Sequence, residues 1–285
     1  MTDLIINEDQ MSVADLAACL GASGSSKEEF TVDPLLKHNY TGENGPMGSF
    51  FLKMPKEQDQ VYAVDGVKFR AFSSHVQWMH WGDSELVNIS TLVLKKNTPS
   101  GKLTEARDIL GGSNCSLPDY DEFWALNEEE RLKLKGRDYY RVLRGLVSYT
   151  GKTPSGEEKT IKNQPCIFKG KRDNYGKFWS DFVSKMPAGS NIWDFESKLI
   201  KETLTNKLKK NYYITRFEPD FSSPLAMDQM TYDSLSYVSK AIKDENKRIE
   251  DQYKSATFAK IDGKLQDEAI AQIEAADAAL EKDFA

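Results

Sequence analysis

Tyrosines stand beside arginines and lysines in two segments that alternate like β-strands. The first is DYYRVLRGLVSYT, residues 138–150, and the second is NYYITRF, residues 211–217, which follows two lysines. Rings that stack on any base, interleaved with cations that pair with any phosphate, are typical of strands that bind single-stranded nucleic acid. Because alternate side chains of a strand point to opposite faces, we expect about half of these tyrosines to be structural. The residues assigned to the groove are Tyr139, Tyr140, Arg141, Arg144, Tyr149, Lys209, Lys210, Tyr212, Tyr213 and Arg216.

Two further groups of residues extend this candidate groove. The turn KGKR, residues 169–172, adds three cations to the basic middle of the chain. Trp78 and Trp81 flank His80 in HVQWMHW. Two exposed tryptophans would stack on bases, whereas two buried ones would close a sheet, and the sequence leaves both interpretations open. The additional candidates are Arg70, Trp78, Trp81, Lys162, Lys169, Lys171, Arg172 and Lys177.

Residue types that support catalysis or metal binding form no recognisable pattern. The stretch GKTPSG, residues 151–156, lacks the GxxxxGK[ST] spacing of a phosphate-binding loop and is typical of a hairpin turn. The three histidines match no nucleophile motif. His75, His80 and Cys115 are the best set of metal ligands, but no CxxC or HxxxH pair accompanies them. The sequence therefore predicts no enzymatic activity, no bound metal and no cofactor.

The net charge of −6 hides a separation of charge along the chain. Residues 131–217 carry 20 Lys and Arg against 8 Asp and Glu, whereas all other residues carry 18 against 36. Residues 266–285 hold six acids and one lysine. A basic middle with acidic flanks favours a polyanion-binding core and a tail that competes for the same groove. It also leaves open a structural or adaptor protein whose basic middle binds an acidic protein partner.

The composition predicts a globular chain in the cytoplasm. Hydrophobic residues make up 39% and charged residues 29% of the sequence, and no run approaches the about 20 apolar residues that a membrane span needs. The N-terminal MTDLIINEDQ is acidic, unlike a secretory signal. Cys19, Cys115 and Cys166 show no paired spacing, so we expect reduced thiols.

Short strands are expected to hold most of the candidate residues. Strands are predicted over residues 48–53, 60–72, 85–95, 138–150, 159–168 and 211–217. Asp65-Gly66 is typical of a tight hairpin turn, and the strands 138–150 and 159–168 are predicted to form a second hairpin. Residues 191–210 are compatible with a helix or with a pair of strands.

Helices are expected outside the strand-rich part. They are predicted over residues 127–135, 174–186 and from about 224 to the end, and residues 96–125 are predicted to be a long loop with one helical turn. Helical spacing assigns a stripe to the core, made of Tyr175, Phe178, Trp179, Phe182 and Met186. In the C-terminal helix it places Leu235, Val238 and Ile242 on one stripe. The chain thus divides into an arm with a short helix and linker (residues 1–28), a strand-rich core (residues 29–222) and a helical, acidic tail (residues 223–285).

The order of several segments along the chain is distinctive. GSFFLKMP and VYAVDGVKFRAF precede a loop with DYDEF, and the basic strand DYYRVLRGLVSYT is followed by KNQPCIFKGKRDNYGKFWSDFVSKM, WDF and NYYITRFEPDFSSP. This succession, roughly residues 45–225, resembles the helix-destabilising, single-stranded-DNA-binding proteins of T4-type phages and their marine relatives. The resemblance implies an α+β fold with an OB-like antiparallel β-barrel core and peripheral helices. It also implies binding and protection of single-stranded DNA in phage replication, recombination and repair, inside the infected bacterium.

The resemblance further implies roles for the ends of the chain. It implies an arm for cooperative self-association and an acidic tail that recruits replication proteins such as a polymerase or helicase. Strand 139–149 and turn 169–172 would line the DNA groove. Two features depart from the family: its zinc-binding His/Cys cluster is absent, and residues 1–26 contain no Lys or Arg. The residues assigned to partner binding are Asp277, Glu281, Asp283 and Phe284.

Overall fold

The computed structural model describes residues 33–283 apart from 41, 43–44, 54–59, 65, 83–84, 95–105, 113–119, 206–208 and 210. The predicted N-terminal arm, Cys115 and Phe284 lie outside the described residues.

The described strands form one mixed sheet with helices beside it, so the chain is of the α+β class. The strands are β1 Leu35–His38, β2 Phe50–Lys53, β3 Tyr62–Ala63, β4 Val67–Trp81, β5 Leu86–Ile89, β6 Arg137–Lys152, β7 Glu158–Lys171, β8 Ser197–Thr205 and β9 Asn211–Pro219. The helices are α1 Tyr120–Ala125, α2 Glu128–Lys133, α3 Lys177–Asp181 and α4 Gln229–Asp283, with 3-10 turns at Arg172–Asn174, Val183–Lys185 and Ile192–Asp194. The strand order is β3-β2-β1-β7-β6-β4-β8-β9, and β5 pairs with β4.

Five of these strands pair in a closed ring. β3 pairs with both β2 and β6, so the pairings β1, β2, β3, β6, β7 return to β1. The closing pair of β1 and β7 is parallel, and the other pairs in the ring are antiparallel. Leu36, Leu52, Leu143, Val147 and Phe168 come from four of these strands and belong to one buried cluster. Burial of these apolar side chains holds the ring together.

The predicted hairpin of β6 and β7 is confirmed, and β6 has a different environment on each face. Leu143 belongs to the cluster of the ring, whereas its neighbours Tyr140 and Val142 pack with Ile242 of α4. Since side chains alternate along a strand, Arg141 shares the face of Leu143 and Arg144 shares the face of Val142. Neighbouring cations of β6 are therefore separated by the thickness of the sheet.

The first half of α4 lies along β4 and β6. The predicted stripe of Leu235, Val238 and Ile242 contacts Phe72 and Leu146, so this prediction is confirmed. Polar contacts continue along the helix, because Asn246 bonds the backbone of Leu92 at 2.7 and 2.9 Å and Lys260 donates to the carbonyl of Leu110 at 2.6 Å. The helix covers the face of the sheet that holds Arg144.

Three other predictions for strands have different outcomes. The hairpin turn at Asp65-Gly66 is wrong, because β3 and β4 do not pair with each other and both run antiparallel to β6. The chain passes from β3 to β4 in one direction, and its contacts with β6 override the local turn signal. The strand predicted over 85–95 is shorter, Leu86–Ile89, and the segment 191–210 contains the strand β8.

The helix predicted over 174–186 is wrong, because the segment breaks into α3 flanked by 3-10 turns. Phe178 and Phe182 are buried as predicted, but Trp179 is 55% exposed. Asp181 accepts hydrogen bonds from Arg216 and from the backbone N–H of Phe217, and these contacts tie the segment to β9. One helical turn cannot bury the whole stripe, so Trp179 remains at the surface.

Candidate nucleic-acid interface

Two tyrosine rings lie together where β1 ends and β9 begins. Tyr40 is 55% exposed, and its ring centroid lies 6.1 Å from that of Tyr213 and 5.8 Å from that of His38. His38 in turn packs on Phe50 of β2 at 4.2 Å. An aromatic ring that packs against other side chains and remains partly exposed is suited to stack on a base.

One lysine lies against these rings, and the charge of a second acts on them. The ammonium of Lys201 on β8 lies 5.3 Å from the centroid of Tyr213. Burial raises the pKa of Tyr40, and the nearby charge of Lys171 opposes this shift. Gly48, with φ +76°, is needed here because a side chain at this position would collide with Lys201 and Tyr213. We call Tyr40, Tyr213, Lys171 and Lys201 the tyrosine–lysine cluster.

His38 supports the cluster without adding charge. Its Nδ1 donates to the carbonyl of Gly48 at 3.2 Å, and its Nε2 accepts from the hydroxyl of Thr215 at 2.8 Å. Burial lowers the pKa of His38 to about 4, the hydrogen bond to Gly48 opposes this shift, and the charge of Lys201 adds to it. The imidazole is therefore neutral at pH 7 and fixes the positions of β1 and β9.

The turn after β7 adds further cations beside the cluster. Asp138 accepts from Lys171 at 3.1 Å and from Arg172 at 3.4 Å, and Lys171 also lies over the ring of Tyr140 at 5.6 Å. The side chain of Arg172 is 75% exposed. Asp138 thus faces two cations, and Asp173 adds a second carboxylate to the turn, so its charges balance.

An arginine and a tyrosine pack together next to this turn. Arg141 is buried, donates to the hydroxyl of Ser74 at 3.3 Å and lies 5.1 Å from the ring centroid of Tyr175. Tyr139 packs on the same face, against Trp78. Both tyrosines thus border the buried guanidinium.

Helix α4 covers another part of the predicted groove. Arg144 pairs with Glu245 at 2.6 Å, and Arg70 donates to Thr231 at 2.8 Å. Burial lowers the pKa of Lys169, the charge of Glu245 opposes this shift, and Arg144 adds to it. The structure thus places Arg70, Arg144 and Lys169 beneath α4.

The remaining candidates lie in several places. Trp78 is buried, and Tyr149 is buried with its hydroxyl donating to the carbonyl of Val61 at 2.8 Å, so neither ring is available for stacking. Trp81 is 41% exposed. Arg216 bonds the carboxylates of Asp181 and Glu202.

The other cations lie on exposed segments. Lys162 and Lys209 are exposed, Lys177 is half-buried, and Lys210 lies outside the described residues. Tyr212 is half-buried, and its hydrogen bond with Asp173 raises its pKa. Asp277, Glu281 and Asp283 belong to α4.

Sequence reasoning missed Tyr40, His38 and Lys201. His38 ends the short strand β1, Tyr40 lies two residues beyond it, and the second partner of this strand, β7, is far away in sequence. Lys201 had a signal: Tyr213 pairs with Thr203, and residues 201 and 203 share one face of β8. Correct pairing of β8 with β9 would have placed Lys201 beside Tyr213.

The described residues hold no group of three or more His, Cys, Asp or Glu side chains placed to bind a metal ion. Among the described helices, none combines the length and the apolarity that crossing a bilayer requires. Comparison of the chain with protein-family models, curated proteins and solved structures finds no match. The functional inference therefore depends on the geometry of the interface itself.

Proposed function

We propose that this protein binds and protects single-stranded DNA through the tyrosine–lysine cluster, largely without sequence specificity, during phage replication, recombination and repair. The observation that carries the proposal is the exposed ring of Tyr40 beside Tyr213, with Lys201 against the ring of Tyr213 and the charge of Lys171 acting on Tyr40. Aromatic rings stack on any base and ammonium groups pair with any phosphate, so this combination binds a strand whatever its sequence.

An OB-like barrel and an acidic tail are part of the same proposal. The ring of pairings has five strands, the number in an OB-fold, although its members pair in chain order before the parallel closing pair. The acids of residues 266–285 support a tail that recruits replication proteins. The proposed self-association through the arm concerns residues outside the described part of the chain.

A fluorescence titration tests the proposal. Single-stranded oligo-dT should quench tyrosine and tryptophan emission, and binding should weaken as salt is raised, because phosphate contacts release counterions. Duplex DNA should bind more weakly, and an oligo-rU arm measures discrimination by the 2′-hydroxyl. Absent quenching, or affinity indifferent to salt, contradicts the proposal.

Assembly with proteins is a second candidate function, and the surface of α4 favours it. Tyr232, Phe258 and Ile261 are 64%, 65% and 48% exposed on this 55-residue helix. Exposed apolar residues on one long helix suit protein contacts. Light scattering that showed a defined large oligomer, together with no affinity for nucleic acid, would favour an adaptor.

A further inference from the structure

Two guanidinium groups on one face of β6 have no acidic partner among the described residues. Arg137 pairs with His80 and Arg141 with Val76 in an uninterrupted register, so both side chains lie on the same face. Neither forms an ion pair with a described carboxylate. The Nε atom of each is buried without a hydrogen-bond partner.

Among the described residues, aromatic rings and not carboxylates surround these two groups. The guanidinium carbon of Arg137 lies 5.9 Å from the ring centroid of Trp78, and that of Arg141 lies 5.1 Å from Tyr175. Arg141 is 8% exposed, and burial lowers its pKa. Burying a cation without a counter-charge is costly, so an anion that supplies acceptor oxygens would stabilise this arrangement. Phosphate matches the forked donors of guanidinium.

A chain of contacts joins this face to the tyrosine–lysine cluster. Tyr175 directly follows Asn174, whose side chain accepts from the backbone N–H of Thr215 at 2.7 Å. The hydroxyl of Thr215 donates to His38, which packs beside Tyr40 and Tyr213. These contacts fix the position of Tyr175 and Arg141 relative to Tyr40 and Tyr213.

We propose that Arg137 and Arg141 bind two phosphate groups of the strand that stacks on the tyrosine–lysine cluster; this inference rests on the proposed function. Four residues of a strand span about 13 Å, which exceeds the size of one phosphate, so each arginine takes its own phosphate. The site adds Arg137 to the interface and assigns Arg141 to the phosphate backbone, not to base recognition.

The salt dependence of binding by full-length variants tests the site. With labelled dT20, Arg137→Gln and Arg141→Gln should each lower the slope of log K against log salt by about 0.7, and the double variant by about twice as much. A 20-unit abasic strand should show the same losses, because it keeps the phosphates and lacks the bases. Lys198→Gln, which removes an exposed charge on β8, is the matched control and should keep the wild-type slope.

The outcomes separate this site from the proposed function. Wild-type slopes in folded Arg137→Gln and Arg141→Gln, with quenching by dT20 retained, overturn the phosphate site and leave the proposed function standing. Arg137 is partly exposed, so its variant decides alone if Arg141→Gln fails to fold. If wild-type protein binds neither strand, the proposed function fails. Thermal stabilisation by tripolyphosphate that Arg137→Gln abolishes would then assign the pair to a free polyphosphate and overturn its assignment to DNA.

Discussion

Tyr40 and Tyr149 show how the same side chain takes opposite roles at two positions. Tyr40 keeps 55% of its surface exposed, whereas Tyr149 is 5% exposed and bonds the backbone of β2 and the segment before β3. Local sequence favoured Tyr149, which stands in a basic strand, and overlooked Tyr40. Whether a tyrosine is buried depends on whether it lies inside the closed ring of strands, and that depends on contacts between distant residues.

Replacement of Tyr40 by alanine should weaken binding of oligo-dT by about 1–3 kcal/mol, because a stacked base loses its ring. The loss corresponds to a rise in Kd of about 5- to 150-fold. Tyr40→Phe keeps the ring and should retain most of the affinity. Tyr232→Ala removes an equally exposed tyrosine from α4 and serves as the control in the same titration. Equal losses in both alanine variants would contradict the assigned role.

His38 should make the stability of the fold depend on pH. Its pKa is about 4 in the folded protein against an ordinary value of 6.5, so the unfolded chain binds the proton more readily between these values. The free energy of unfolding is then at its full value above pH 6.5 and falls, by up to about 3 kcal/mol, as pH drops to 4. Urea unfolding at pH 7, 5.5 and 4.5 measures this.

The matched variants of this experiment are His38→Gln and His80→Gln. Glutamine at position 38 cannot take up the proton, so its stability should fall less over the same range. His80 lies on β4, which β7 and β6 separate from β1, and its variant should follow the wild type. If the free energy of unfolding of the His38→Gln protein fell as much as that of the wild type, His38 would not be the cause of the pH dependence.

At the scale of elements, local patterns predicted what neighbouring segments form by themselves. The hairpin of β6 and β7 and the stripe of α4 follow from alternation and helical spacing over short stretches. The parallel pair of β1 and β7 joins residues about 130 apart, such as Leu35 and Ile167, and no local pattern indicates it. The break at α3 likewise results from the distant partner Arg216.

The docking of α4 on the sheet should depend on Glu245. This carboxylate accepts from Arg144 at 2.6 Å and from Gln77 at 2.8 Å, and both partners are buried. Glu245→Ala leaves a buried arginine without its counter-charge and should lower the free energy of unfolding by about 3 kcal/mol in urea at pH 7. Glu250→Ala, at an exposed position five residues further along α4, should change it little. Similar free energies of unfolding for the two variants would show that the ion pair of Arg144 and Glu245 does not stabilise the docking of α4.

At the scale of the whole molecule, the separation of charge could be seen in the sequence, but its distribution in space could not. The basic residues 131–217 form strands whose two faces differ: Arg141 lies beside Tyr175 on one face, and Arg144 lies under α4 on the other. A count of charges along the chain adds together the residues of both faces. The sheet separates the two faces and α4 covers only one of them, an arrangement that exists only in the folded chain.

Removal of residues 266–285 should tighten binding of oligo-dT at low salt, because the segment's six acids compete with phosphates for the basic residues. The screening length is about 30 Å at 0.01 M salt and about 10 Å at 0.1 M, so the difference from wild type should shrink over this range and vanish near 1 M. A full-length control with the six acids replaced by their amides separates charge from length and should bind as tightly as the truncated chain. A truncated protein whose advantage persisted at 1 M salt, or an amide variant that bound like wild type, would show that the tail acts through its bulk and not through its charge.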